Sequence, residues 1–311
     1  MRRRATDMNS MYFAAIINST FRYATPVLFA TLGCLICSRC FVFNVALEGQ
    51  MLFASFAAIV VNYYTHSVIL SSLAAVAAGT LIGLIVAFFQ VTLKVRDMVV
   101  GTAVNLLVES ATSFLMQIVF GTRGTIQGYD MVGLPKISLH FGNLAFLNRM
   151  FENLSILDYL GYVTAVLVFI YLFKTVGGFR LRSVNFNAKA ADSLGVNSTR
   201  IMFNAILVSG ALCGLGGLAQ CMGIVPVFVE KMTAGRGFIA MGASSLAQAH
   251  PLVAMFSSLF FGATISLAKT LQSFINSYFT ESLPYICTVI AIAIYGIRGR
   301  MKVKQAESAK K

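Results

Sequence analysis

Long apolar runs separated by short polar intervals dominate the chain, and their lengths give the first reading. Val68–Val91 and Met98–Phe120 each approach the ~20 residues that a helix needs to cross a bilayer. Tyr159–Phe173, Ile201–Val225, Leu252–Ala268 and Leu283–Ile297 are read as further spans. Pro26–Ile36, prolonged to Cys40, is another apolar run, preceded at 8–23 by a mixed stretch that reads as an interfacial or short entry helix. Ile239–Ala249 is too short for a full crossing and ends at His250-Pro251. After Phe43 the pattern breaks. Asn44-Val-Ala-Leu-Glu-Gly-Gln-Met51 puts polar residues and a glycine at the head of the next apolar run, Leu52–Val61. Irregular backbone at membrane depth survives only where protein or a water-filled cavity surrounds it, so this break is a candidate pathway element.

Charge then orients the runs. Lys174–Arg200 carries Lys174, Arg180, Arg182, Lys189 and Arg200 against one acid, Asp192. Basic loops stay on the cytoplasmic side, which places this loop, Lys94–Asp97 and the tail 298–311 inside. Asn62–Ser67, the long polar interval Gly121–Leu157 and Glu230–Phe238 fall outside by alternation. The organisation predicted is an N-terminal entry segment (1–23), a transmembrane domain (24–297) and a basic cytoplasmic tail (298–311). The N-terminal side stays open: Arg2–Arg4 argue for inside, whereas counting back from the basic loops gives outside unless 8–23 crosses.

Composition excludes most other classes. The chain has 311 residues, of which only 11% are charged and 58% hydrophobic, against roughly 25% charged in a soluble domain. Lipid is its natural solvent. The fold class predicted is all-α, a polytopic membrane protein with about 8–10 transmembrane or half-spanning helices. The net charge of +13 does not indicate nucleic acid, because the basic residues cluster at the ends of apolar runs, where they face anionic lipid. Asp7, Asn9, Ser10, Asn18, Ser19 and Arg22 break any secretory h-region after Arg2–Arg4. Cys34, Cys37 and Cys40 have a cluster-like spacing but lie in or beside an apolar run with no fourth ligand nearby. They read as small buried residues, with neither disulfide nor metal. No catalytic set and no phosphate-binding G-x4-G-K-[ST] occurs, so no enzyme is predicted and no cofactor in this chain.

Several polar residues stand where lipid would penalise them. In the basic loop Lys174–Arg200, Asn187-Ala-Lys-Ala-Ala-Asp-Ser-Leu-Gly-Val-Asn197 has good helix formers followed by a glycine that can stop the helix. Such a short cytoplasmic helix is placed to touch a soluble partner, or to lie on lipid head groups. Glu48, flanked by Asn44 and Gln50, either lines a pathway or caps the open amides of a broken helix. Asn105 and Glu109 are four residues apart and share a helix face, directed at a neighbouring helix or at a pathway. Arg236 sits between Gly235 and Gly237 at the external edge of a short helix, lining an entrance, meeting a partner or pairing with Glu230. Phe238 beside it could stack on a base or pack among helices.

Three stretches together resemble a known family. Phe43-Asn-Val-Ala-Leu-Glu-Gly-Gln-Met51 is similar to N-I-G-x-E-G-x-M. Ala190-Ala-Asp-Ser-Leu-Gly-Val-Asn197 with Ser209-Gly-Ala-Leu-Cys-Gly-Leu-Gly-Gly217 is similar to A-A-x-x-x-G-I-N…S-G-A-L-A-G-L-A-G. Met232-Thr-Ala-Gly-Arg-Gly-Phe-Ile-Ala240 with His250-Pro251-Leu252 is similar to M-T-x-G-R-G-F…N-P-L-G. These belong to the permease subunits of bacterial ABC importers in the ribose and branched-chain amino acid permease superfamily. Within it, the likeness is to the shorter permease of nucleoside uptake systems. Ala46, Lys189 and Val253 depart from the usual residues.

The resemblance implies a permease in the bacterial cytoplasmic membrane, with its C-terminus inside, that imports nucleosides. It implies docking of a separate ATPase, which carries ATP and Mg, on Asn187, Lys189, Ala190, Ala191, Asp192 and Gly195. It implies a path formed with a second permease from among Asn44, Glu48, Gln50, Asn105, Glu109, Arg236 and Phe238, and an extracytoplasmic substrate-binding lipoprotein. A ribose-type sugar or other small solute is the alternative cargo. A self-sufficient secondary transporter is the rival class, opposed by the scarcity of buried charge for a proton relay.

Overall fold

The computed structural model describes residues 2–128, 130–138, 145–272, 282–287 and 289–290, with side chains from Tyr12 onward. It is helical almost throughout. The helices are α1 (Arg2–Ser38), α2 (Leu47–Thr65), α3 (Val68–Ala87, prolonged by a π-helical turn at Phe88–Thr92), α4 (Asp97–Phe120) and α5 (Ala145–Met150). There follow α6 (Ile156–Lys174), α7 (Val176–Phe186), α8 (Ala188–Ser193), α9 (Ser198–Met222), α10 (Arg236–Leu246) and α11 (Pro251–Leu271). Two-residue strands add only local stitching: β1 (Thr125–Ile126) pairs antiparallel with β4 (Phe228–Val229), and β2 (Lys136–Ile137) with β3 (Leu154–Ser155).

Among the described residues six helices are long and apolar enough to cross a membrane: α1 from Tyr12, α3 with its π turn, α4, α6, α9 and α11. The chain is an all-α polytopic membrane protein. α2 and α10 join these six inside the bundle. Residues 283–287 and 289–290 of the expected last span are helical, while 288, 291–297 and the tail 298–311 lie outside the described residues.

One expected boundary is not a break. The mixed stretch at 8–23 and the apolar run after it form a single helix that passes through Pro26. Proline removes a donor from the ladder and crowds the carbonyl four residues back. The helix continues through it, and just before it Thr25 Oγ1 donates back to Phe21 O at 3.0 Å. The polar residues that suggested an interfacial helix bond to the long loop instead: Asn18 Nδ2 donates to Met150 O, and Arg22 to the carbonyls of Glu152 and Asn153.

These contacts fix the run of α1. Its Asn18–Arg22 portion lies at the end of the bundle that holds the 121–157 loop. Arg39, just beyond its other end, donates to Ala249 O at 2.7 Å and lies over the Phe173 ring, beside Arg182 of α7. That second end carries α7 and α8 of the loop 174–200, where the resemblance leads one to expect an ATPase to dock, and in that sense is the coupling end.

The centre of the bundle is α9, packed on α1, α2 and α3. Gly79 and Gly83 of α3 meet Gly210 and Gly214 of α9 there. A Cβ on Gly79 would lie 2.3 Å from Gly210 O, and one on Gly214 would lie 2.6 Å from Ala75 O. Only glycine lets α3 and α9 come this close, and dispersion across the seam holds them in the absence of a hydrophobic drive in lipid. Facing outward, Ile69, Leu73, Leu106, Phe114, Val163 and Leu167 leave apolar flanks on α3, α4 and α6, as lipid requires.

Candidate functional site

The break at Asn44–Ala46 positions the site. Phe43 N donates to Asp97 Oδ2 at 3.1 Å near the coupling end, and the backbone then climbs without regular structure to Leu47. Asn44 holds this climb together. Its Oδ1 accepts from Ala46 N, and its Nδ2 donates to Ser209 Oγ of α9 and to Gln50 Oε1. Both Asn44 and Gln50 are fully buried. Asn105 of α4 adds a second support: Oδ1 accepts from Gly49 N at 2.8 Å, and Nδ2 donates to Val45 O at 3.0 Å. Backbone groups that a regular helix would pair are thus paired by side chains, as membrane depth demands.

α10 forms the other half of the break. Its 11 residues rise about 16 Å. It ends at the coupling end, where the 21-residue α11 begins. Its first residue therefore lies about halfway along a full crossing. The segment read as an external loop, Glu230–Phe238, accordingly does not stay outside. It leaves β4, dips between the helices and starts α10 at depth. Glu48 meets it there: Gly235 N donates to Glu48 Oε1 at 2.8 Å and Gly237 N to Oε2 at 2.7 Å. The carboxylate thus satisfies orphan amides at a helix N-terminus and complements its dipole. The capped helix is not Glu48's own.

Together these elements line a cleft of about 520 Å³. Its walls include Glu48, Asn105 and Glu109, with Phe238 projecting at 46% exposure. Lys231 and Thr233, which the sequence did not single out, also line it. Lys231 forms an ion pair with Glu109 across the cleft mouth. Of the seven pathway candidates the structure brings these four together. Asn44 and Gln50 stand in the interior, away from the cleft lining. Arg236 lines chambers on the other side of α10, toward α1 and α11. It sits at the outward end of the short helix α10, and among the described residues it does not pair with Glu230, which instead accepts a hydrogen bond from Ser113.

At the coupling end the loop 174–200 is helical almost throughout. α7, not foreseen in the sequence, leads into α8 through Asn187, whose Oδ1 accepts from Ala190 N at 3.1 Å as an N-cap. Gly195, at φ +81°, makes the turn after α8, a conformation that favours glycine. The Asp192 carboxylate then accepts from Ser198 N and Ser198 Oγ at the start of α9. These bonds hold its pKa below the ordinary aspartate range. Ala191 is buried, whereas Lys189 and Ala190 are exposed. Phe186 and Leu194, at 88% and 85% exposure, flank α8 as two apolar knobs. The sequence reading passed over them. Their signal was an apolar residue on either side of a polar helix in a basic loop.

A bundle of spanning helices with a broken helix pair at membrane depth and a cleft beside it is an arrangement that suits a transport permease. The comparisons give the same class. A family described as "Branched-chain amino acid transport system / permease component" is matched over residues 16–293, and the chain belongs to this family. It is a multi-pass transport subunit and not an enzyme. It is 33% identical to the nucleoside ABC transporter permease protein NupC of Lactococcus lactis subsp. cremoris, over 90% of this chain and 92% of that one. It is 32% identical to the guanosine ABC transporter permease protein NupQ of Bacillus subtilis, over 94% of each. A putative glucose ABC transporter permease protein of Haloferax volcanii, TsgC13, is 28% identical over 85% of this chain and 80% of its own. No solved structure gives a significant match.

Proposed function

We propose that this chain is a permease subunit of an ATP-driven importer of nucleosides. The observation that carries the reading is likeness over nearly the whole chain to NupC and NupQ, named for nucleoside and guanosine transport. The cleft of Glu48, Asn105, Glu109, Lys231 and Phe238 forms one wall of the path. Phe238 offers a ring to the base, and the polar residues offer hydrogen bonds weak enough for release. A second permease supplies the facing wall. The nucleoside permease protein NupB, from the same organism as NupC, is also similar to this chain, at 30% over 100 residues.

An ATPase that carries ATP and Mg docks on α8, with Asn187, Lys189, Ala190, Asp192 and Gly195 presenting the helix and Phe186 and Leu194 entering a groove of the partner. Ala191, which is buried, anchors the helix to its own bundle. Movement of α8 passes to α9 through Asp192 and Ser198. The basic loop and the tail face the cytoplasm, the 121–157 loop faces out, and a substrate-binding lipoprotein delivers cargo to that side. The likeness to TsgC13 supports a sugar as the second reading.

Competition for uptake separates the two cargoes. Cells that express the full set of subunits should take up labelled guanosine, with unlabelled nucleosides competing and glucose or ribose ineffective. Omission of this chain should abolish the uptake. Competition by sugars alone would keep the importer and overturn the nucleoside assignment.

A further inference from the structure

Behind α10, on the side away from the cleft, lies a second chamber of about 320 Å³. Arg22 and Tyr23 of α1, Asp158 of α6, Gln220 of α9, Arg236 of α10 and Lys269 of α11 line it. Its depth can be read from the helices. Asp158 is two residues from the start of α6, while Gln220 and Lys269 are each two residues from the ends of α9 and α11. Three spanning helices therefore terminate around its outer part, at the level of lipid head groups, while Arg236 enters it from the start of α10, deeper in the bundle.

Its charges are unbalanced. Three cations face one acid, and the Asp158 carboxylate already accepts from Ser155 N and Ser155 Oγ at 2.7 and 2.9 Å. Glu48, behind Arg236, is bound to two backbone amides. Arg22 uses one Nη for backbone carbonyls, yet its Nε is buried without a partner. Among the described residues neither Arg236 nor Lys269 has an ion pair, and Lys269 lies over the Tyr23 ring at 5.1 Å. Gln220 donates to Met232 O and leaves its Oε1 buried without a partner. The chamber thus presents three cationic donor groups and one vacant acceptor. A ligand that completes it carries an anionic group and a hydroxyl donor side by side.

We propose that this chamber binds the phosphorylglycerol head group of an anionic phospholipid. Arg22, Arg236 and Lys269 hold the phosphate, and a glycerol hydroxyl donates to Gln220 Oε1. The bound lipid braces the first turn of α10 from behind, opposite the carboxylate of Glu48. The site stands on this geometry alone and does not depend on the cargo.

The test uses the full-length chain in nanodiscs of phosphatidylcholine, with and without phosphatidylglycerol. Phosphatidylglycerol should raise the thermal midpoint of the wild type by about 2–4 °C. Lys269→Gln should keep the phosphatidylcholine midpoint and lose most of that rise, as should Arg236→Gln. Lys94→Gln, an exposed change between α3 and α4 at the opposite end of the bundle, should retain the rise in full. No rise in the wild type, or the same rise in Lys269→Gln, would overturn the proposal. Soluble glycerol 3-phosphate that reproduces the shift in phosphatidylcholine discs, where phosphatidylglycerol does not, would assign the chamber to a free anion and overturn the lipid.

Discussion

Glu48 joins two parts of the molecule 187 residues apart, and its two bonds to α10 place two broken helices tip to tip. A carboxylate on two backbone amides makes charge-assisted bonds, stronger than neutral ones. Glu48→Gln keeps one acceptor and removes the charge. It should destabilise the α10 junction by about 2 kcal/mol and lower uptake while the protein still inserts. Urea or thermal unfolding alongside an uptake assay would check both, and unchanged stability would remove the capping role. Phe238 has a different task, since it projects into the cleft without a ring partner among the described residues. Phe238→Ala should raise the half-saturating nucleoside concentration severalfold, and Phe238→Tyr should restore it. Equal behaviour of the two variants would argue against stacking.

At the scale of elements, the α3–α9 seam has no room for a side chain. Gly79→Ala should separate the helices and cost about 1–3 kcal/mol, seen as less folded protein recovered from membranes. A normal yield and midpoint would contradict the packing. The α8 surface yields a prediction of another kind. Phe186→Asp or Leu194→Asp, like Gly195→Pro or Ala190→Asp, should leave insertion intact and abolish ATP-driven uptake. Unaffected uptake would remove the docking assignment.

Asp192 sets the pH behaviour of the joint between α8 and α9. Because its pKa is depressed in the fold, its contribution is present above the ordinary aspartate range and lost only as pH falls through the depressed value. Docking should therefore be flat from pH 6 to 8, and a loss within that window would point to another group.

Apolar length made α3, α4, α6, α9 and α11 legible, since lipid demands long uniform runs. The same criterion divided α1, because Asn18 and Arg22 look interfacial until the loop carbonyls that bind them are known. It also placed Glu230–Phe238 outside, because polarity marks exposure and not depth. Glu48 could be recognised as unusual, yet its partners on α10 are set by tertiary packing. α7 escaped because its charges and Gly177-Gly178 hide a helix of weak periodicity.

For the whole molecule, the cleft and the α8 surface lie at different depths of one bundle, linked through α9, which packs on the helices that frame the break. That arrangement suits a subunit that receives mechanical work at one end and changes access to a path within. Its most direct test is accumulation of labelled guanosine by proteoliposomes that contain the complete transporter with this chain present or omitted. Uptake that requires both ATP and this chain, and that survives collapse of ion gradients, is the predicted result. Guanosine uptake by this chain alone, driven by an ion gradient and indifferent to ATP, would contradict the account.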